Sequence, residues 1–366
     1  MQCGVLDVLP NSNIYLRPLS DGGSGIAKVL TEVTSGKLIM RRVHGPLGDY
    51  VNAHIGILGD GKTAIIESAQ AAGLTLIPPD LRNPLLTSSF GVGELILSAV
   101  ELGAKSIIIG CGDSGTNDCG IGCASALGVN FYSENGCQLK GGLTGKDLID
   151  IAFIDYTIAK ERLQNVEITV ACNLTSILCG PEGTSIIYGP QKGATTDQVV
   201  ILHKNVKNFV NMIYKHERLD MSFVPGAGAA GGLASSLYAF FGAKLLYSID
   251  VVDRYINLDQ FLSRSNIVIT GEGKIDDRTA TGKIVCGVAL KAKKYNLPVV
   301  AVVGSIAHDH EDIFYNGVDA VESIADGPMK IEDSIENATS LIKNATSRVM
   351  RFVSLIHKNN YQVKVN

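Results

Sequence analysis

The chain has 366 residues, more than one hydrophobic core usually organises, so two domains are expected. Apolar residues make up 46% and charged residues 19%, which excludes a disordered chain, and a net charge of −4 leaves no electrostatic footprint for nucleic acid. No apolar run reaches the roughly 18 residues of a membrane span, and no basic segment leads into an apolar core at the start, so a cytoplasmic protein away from membranes is expected.

In chain order, 13–17 (NIYLR) reads as a strand and 24–35 as a helix. Segments 37–44, 51–58 and 62–67 read as an antiparallel meander joined by Gly-Pro-Leu-Gly and Gly-Asp-Gly turns. From residue 91 the pattern becomes parallel βαβ: a helix at 92–103, an apolar strand at 105–109, a Gly-rich turn and another helix. A strand at 166–171, a loop near 179–195 and a helix at 196–218 follow, and a second Gly-rich segment, 225–232, opens a helix at 232–241. A buried strand at 265–270 runs into Gly-Glu-Gly, a helix at 282–295 and a strand at 298–303 complete another βαβ unit, and 331–358 reads as one amphipathic helix. Residues 1–10 read as the last half of a helix, as if the chain began in the middle of a unit. Eight cysteines without a CxxC pair read as buried free thiols of a reducing compartment.

Several short motifs are decoys. Residues 56–63 match GxxxxGK[ST], but a P-loop needs a strand before it and a helix after it, and here Gly59-Asp60-Gly61 joins two β-like runs; a hairpin explains the segment better. Two GxGxxG matches start at Gly110 and Gly226; the first leaves a strand, which keeps an NAD-dependent dehydrogenase as an alternative. Gly112-Asp113-Ser114-Gly115 echoes a serine-protease signature without the rest of that enzyme.

Three Gly-rich turns carry more weight together: 110–120 (GCGDSGTNDCG), 225–232 (PGAGAAGG) and 271–283 (GEGKIDDRTATGK). Each enters a helix, and exposed N–H groups there favour anions. Carboxylates beside anion-seeking amides call for a bridging cation, for which Mg²⁺ is the natural candidate, and phosphoryl transfer needs positioning plus charge neutralisation.

With 18–25 (PLSDGGSG), 56–67, 83–87 (NPLLT), 91–94 (GVGE), 170–173 (VACN) and 180–194 (GPEGTSIIYGPQKGA), these segments resemble the type-1 glycerate kinase family in order over about residues 5–350. The resemblance implies two dissimilar α/β domains, one inserted in the other, with the active site in the cleft between them. It implies phosphorylation of the small-molecule substrate D-glycerate, 2-phosphoglycerate favoured over 3-phosphoglycerate, with ATP and Mg²⁺. The domains are expected at 1–36 plus 245–366 and at 37–244. Expected catalytic residues are Asp21, Asp118, Lys192 and Glu272, with Asp118, Lys192 and Glu272 sharing one cavity. Substrate and phosphate are assigned to Ser20, Gly22, Gly23, Ser114, Thr116, Asn117, Gln191, Gly228, Gly271, Gly273, Lys274, Thr281 and Lys283, and metal to Asp118, Glu272 and Asp276. A homo-oligomer is left open.

The sequence departs from the family pattern in places. Ser24 stands where Glu is usual, Asp113 and Gly115 where Gly and Ala are, Cys119 where Gly is and Asn173 where Asp is. About thirty residues with which the family opens, a strand and a loop bearing a carboxylate and a lysine, have no counterpart. A truncated, weakly active or ligand-binding remnant is therefore the second alternative.

Overall fold

The computed structural model describes residues 1–275, 284–308 and 310–359. Contacts divide the chain into two units, Met1–Pro18 with Asn257–Asn366, and Leu19–Ile256. Both are α/β, dissimilar, and the second is inserted in the first.

The inserted unit is built on a six-stranded sheet. Its first three strands, β1 (Lys37–His44), β2 (Tyr50–Ile57) and β3 (Thr63–Glu67), form an antiparallel meander. β4 (Ser106–Gly110) continues it parallel to β3. A three-stranded antiparallel excursion follows, β5 (Asn130–Tyr132), β6 (Gln138–Leu139) and β7 (Phe153–Asp155). β8 (Glu167–Cys172) and β9 (Lys244–Tyr247) then complete the main sheet in parallel, giving the order β1-β2-β3-β4-β8-β9. Every residue of β3 is buried, so helices cover both faces there, as a parallel centre requires. Helices Ile26–Val33 and Ser248–Ile256 form one covering group; Phe90–Glu101, Ile121–Leu127 and Ala229–Phe241 form the other. The domain boundaries expected at 36/37 and 244/245 fall inside this unit, because Ile26–Val33 packs on β2 and β3 and β9 pairs with β8.

The Gly-Asp-Gly turn between β2 and β3 is a hairpin. Asp60 Oδ1 accepts the Lys62 and Thr63 amides at 2.8 Å each, and Oδ2 accepts Thr63 Oγ1 at 2.6 Å.

The other unit carries a parallel sheet, β10 (Val268–Ile275), β11 (Val299–Ile306) and β12 (Ala320–Ser323). Helix Gln2–Leu6 packs on Ala338–Asn359, where Ser347 Oγ donates to the Gly4 carbonyl and Lys343 pairs with Asp7. Three expectations need correction. Segment 13–17 is not a strand; Arg17 instead stacks on Phe261, 3.5 Å from the ring centroid. β10 does not end at 270 but runs to Ile275, because Glu272, Lys274 and Ile275 keep pairing along β11. The C-terminal helix is two, Ile331–Glu336 and Ala338–Asn359, broken at Asn337. No helix among the described residues is long and apolar enough to cross a membrane. Six of the eight cysteines are buried and all are free.

Candidate active site

In an open parallel sheet, ligands bind beyond the carboxyl ends of the strands. At that end of β4 the 19–25 turn lies against the 110–113 backbone. A Cβ on Gly112 would come within 2.6 Å of Gly23 Cα, so the two backbones approach only because both residues lack side chains.

Three carboxylates hold this turn. Asp21 Oδ1 accepts the Gly23 amide at 3.0 Å. Asp113 Oδ2 accepts the Ser24 amide at 3.1 Å and Ser24 Oγ at 2.9 Å. Glu67, buried at the end of β3, accepts the Gly25 and Ala27 amides through Oε1 at 2.9 and 2.8 Å, and so caps helix Ile26–Val33. The amides of 23, 24, 25 and 27 are therefore already bonded. The N–H of Gly23, a residue expected at substrate or phosphate, is bonded to Asp21. Gly22 is buried at φ +92°, with Ser248 Oγ 2.4 Å from where a Cβ would stand. Ser24 and Asp113, two of the departures from the family pattern, are partners.

The second cluster lies just beyond, in the 110–120 turn. Lys192 Nζ donates to Ser114 Oγ at 2.9 Å and to the Thr116 carbonyl at 2.7 Å. Lys192 is only 3% exposed, and burial pulls its pKa down to about 8, opposed by the charge of Asp118. Its neighbour Gln191 is exposed. Asn117 Nδ2 donates to Ser185 Oγ at 3.1 Å. The buried Asn117 Oδ1, Thr116 Oγ1 and Ser20 Oγ have no hydrogen-bond partner among the described residues. Those of Thr116 and Asn117 lie in the turn that Lys192 holds, and orphaned atoms of this kind are what a polar ligand or water would satisfy.

Asp118 is fully buried. Its Oδ2 accepts the Ser89 amide (2.8 Å), Ser89 Oγ (2.7 Å) and the Gly122 amide (3.3 Å), and its Oδ1 accepts the Gly120 amide (3.0 Å). Burial pushes its pKa up, and these hydrogen bonds pull against the rise. With both oxygens taken, Asp118 anchors the turn, and the expected metal-ligand role is not supported by this geometry.

The 225–232 segment underlies the same turn. Ala230, Gly231 and Gly232 are left-handed, and the regular helix begins only after them. The Gly231 carbonyl accepts the Cys119 amide at 3.0 Å, and a Cβ on Gly231 would overlap the Thr116 carbonyl oxygen at 1.9 Å. Gly228, expected at phosphate, gives its N–H to the Ser176 carbonyl and takes Thr184 Oγ1 on its own carbonyl. The GxGxxG reading of 110–115 falls: helix Ile121–Leu127 starts well after Gly115, which packs against Leu74 and Ile77.

In the other unit Gly271, Glu272, Gly273 and Lys274 lie in β10, with Gly273 and Lys274 exposed. Asp276, Thr281 and Lys283 lie outside the described residues. Among the described residues no group of three or more His, Cys, Asp or Glu side chains could hold a metal ion. Neither Glu67 nor Asp113 was expected at the site: Asp113 stood out only as a departure from the family pattern, and Glu67 only as a lone Glu closing an apolar strand.

Comparison with known proteins matches the glycerate kinase family profile over residues 1–354. The chain is 40% identical to the glycerate kinase of Halalkalibacterium halodurans over 346 residues, 94% of this chain and 90% of that protein. It is equally 40% identical to the glycerate 2-kinase of Escherichia coli K12 over 356 residues, 97% and 93% of the two chains. A crystal structure of a candidate glycerate kinase 2 from Salmonella typhimurium LT2 superposes with a TM-score of 0.80 at 38% identity, covering 98% of this chain and 93% of that one. Relatives this similar along nearly the whole chain leave one conclusion: the chain belongs to the glycerate kinase family, a family of phosphotransferases.

Proposed function

We propose that this protein phosphorylates D-glycerate in the cytoplasm, taking the phosphoryl group from ATP and favouring the 2-hydroxyl. The observation that carries the reading is the whole-length likeness to proteins named glycerate kinase and glycerate 2-kinase. The geometry supports it with a desolvated lysine, orphaned hydroxyl and amide groups beside it, and an exposed carboxylate, Asp21, in the neighbouring turn.

The substrate hydroxyl oxygen forms the new bond to the γ-phosphorus, the bond from that phosphorus to the ADP oxygen breaks, and the hydroxyl proton passes to Asp21. Asp21 suits this role because, among the described residues, only its Oδ1 is engaged, by the Gly23 amide. Lys192 holds Ser114 and the Thr116 carbonyl in place and contributes positive potential to a site that gathers negative charge. Mg²⁺ brought with ATP would need only one or two protein carboxylates, so the lack of a three-ligand cluster among the described residues is compatible with it. When bound, the ion neutralises phosphate charge.

The test is ADP release by the purified protein with D-glycerate, ATP and MgCl₂, with and without EDTA, followed by ³¹P NMR of the product. Glycerate-dependent, EDTA-sensitive ADP release with a 2-phospho product is expected. Binding without turnover would favour the ligand-binding remnant, and a 3-phospho product would overturn the regiochemistry alone.

A further inference from the structure

We propose that Asp113 is a positioning residue for this reaction: it latches the 19–25 turn to the end of β4 and thereby fixes where the Asp21 carboxylate stands. The proposal rests on the reading of the site given above.

The latch joins residues 89 apart in sequence, with one carboxylate oxygen accepting both the amide and the hydroxyl of Ser24. Two bonds to one oxygen fix direction as well as distance. Gly23 lies between the two carboxylates: a Cβ there would stand 2.8 Å from Asp113 Oδ2 and 3.0 Å from Asp21 Oδ1. Asp21 and Asp113 thus reach toward one residue, each bonded to a different amide of the same turn. Asp21 holds only the amide two positions on, a local bond that shapes the turn without tying it to the sheet. Glu67 ties down residues 25 and 27, on the helix side. Among the described residues, the hydrogen bonds to Asp113 connect the stretch next to Asp21 with the β4 end.

The backbone of Asp113 strengthens the case. Its φ is +52°, a left-handed conformation that a glycine would adopt more readily. What an aspartate adds at this position is its carboxylate, and that carboxylate is spent on Ser24. The next residue, Ser114, accepts the hydrogen bond from Lys192. One residue therefore sets the register between the Asp21 turn and the Lys192 cluster. Asp21, Ser24 and Asp113 are all exposed, so the latch lies where a ligand can reach the turn.

The test uses the full chain and two variants, read by hydrogen exchange of the peptide spanning 19–25, by thermal melting and by kinetics on glycerate. Asp113→Gly is expected to keep or raise the melting temperature, because it relieves the left-handed backbone. It should also speed exchange of the Ser24 region about tenfold or more, and lower kcat by about ten- to a hundredfold with little change in KM for ATP, as a misplaced catalytic group does. Asp113→Asn keeps an acceptor oxygen for Ser24 and should retain at least about a third of kcat and most of the protection. Wild-type exchange and kcat in Asp113→Gly would overturn the proposal. Equal losses in the two variants would overturn it too, since they would point to the negative charge and not to the latch. A wild-type protein that protects the turn yet turns over no glycerate would defeat the reading of the reaction and leave the latch standing.

Discussion

Lys192 Nζ meets Ser114 Oγ at 2.9 Å across 78 residues of sequence, and the bond is buried. A lysine held there by a hydroxyl and a carbonyl stays charged at neutral pH with little margin, its pKa pulled down to about 8 by burial. Activity that needs this charge should fall as pH rises through about 8. Stability should move the other way: between about 8 and the ordinary value of 10.5 the unfolded chain holds a proton the folded chain has released, so folding gains as pH rises. Lys192→Met should lower kcat/KM about 100-fold, roughly 3 kcal/mol, and abolish the alkaline limb. A pH–rate profile of both proteins checks it; an unchanged limb in the variant would assign the titration elsewhere.

Asp118 should matter first for the fold. Asp118→Ala strands three amides and a hydroxyl in the interior, and a cost of about 3–5 kcal/mol is expected by denaturant titration. Asp118→Asn should cost less. It also removes the charge that supports protonated Lys192, so the alkaline limb of activity should shift to lower pH. A shift to higher pH would contradict the electrostatic account.

Two glycines with left-handed backbones separate crowding from conformation. Gly231→Ala places a methyl 1.9 Å from the Thr116 carbonyl oxygen at φ +67°, whereas Gly103, at φ +91°, has nothing within 4 Å of its Cβ position. Gly103→Ala should cost only the backbone term, about 1–2 kcal/mol. Gly231→Ala should cost distinctly more and lower activity, because it pushes on the turn that Lys192 holds. Comparable melting temperatures for the two variants would show that the turn yields freely.

The strands were the most readable part of the sequence. The apolar runs that became β4, β8 and β11 stand out because a strand buried on both faces cannot alternate, and β1 matches its expected limits, Lys37–His44. Residues 271–275 misled because Gly-Glu-Gly reads as a turn, while the continued pairing with β11 holds it extended. The short strands β5, β6 and β7 left no periodic signal. In the site, the choice of Lys192 and Ser114 came from the family resemblance, and the structure brings them together. Which carboxylates face inward was not legible. Asp118 was expected as a ligand, and the structure adds an anchoring role that the sequence did not announce, because its donors come from as far as Ser89, 29 residues away. Glu67 and Asp113 find their amides 42 and 89 residues away, and nothing local announces such a bond.

The inserted unit is one continuous stretch, Leu19–Ile256, with an extensive core of its own. Expressed alone, it should fold and melt cooperatively, as an independent domain does. Far-UV circular dichroism and calorimetry decide; a broad, non-cooperative transition would mean that the unit needs the rest of the chain.

Asp60 has an implication for pattern searches. In a true P-loop the amides around the Lys-Thr pair wait for a phosphate. Here the amides of Lys62 and Thr63 and the Thr63 hydroxyl already have an anion of their own, the carboxylate of Asp60. The motif is therefore self-inhibited by a tethered phosphate mimic, and any regular expression that ignores the letter before the second glycine will count this hairpin as a nucleotide site.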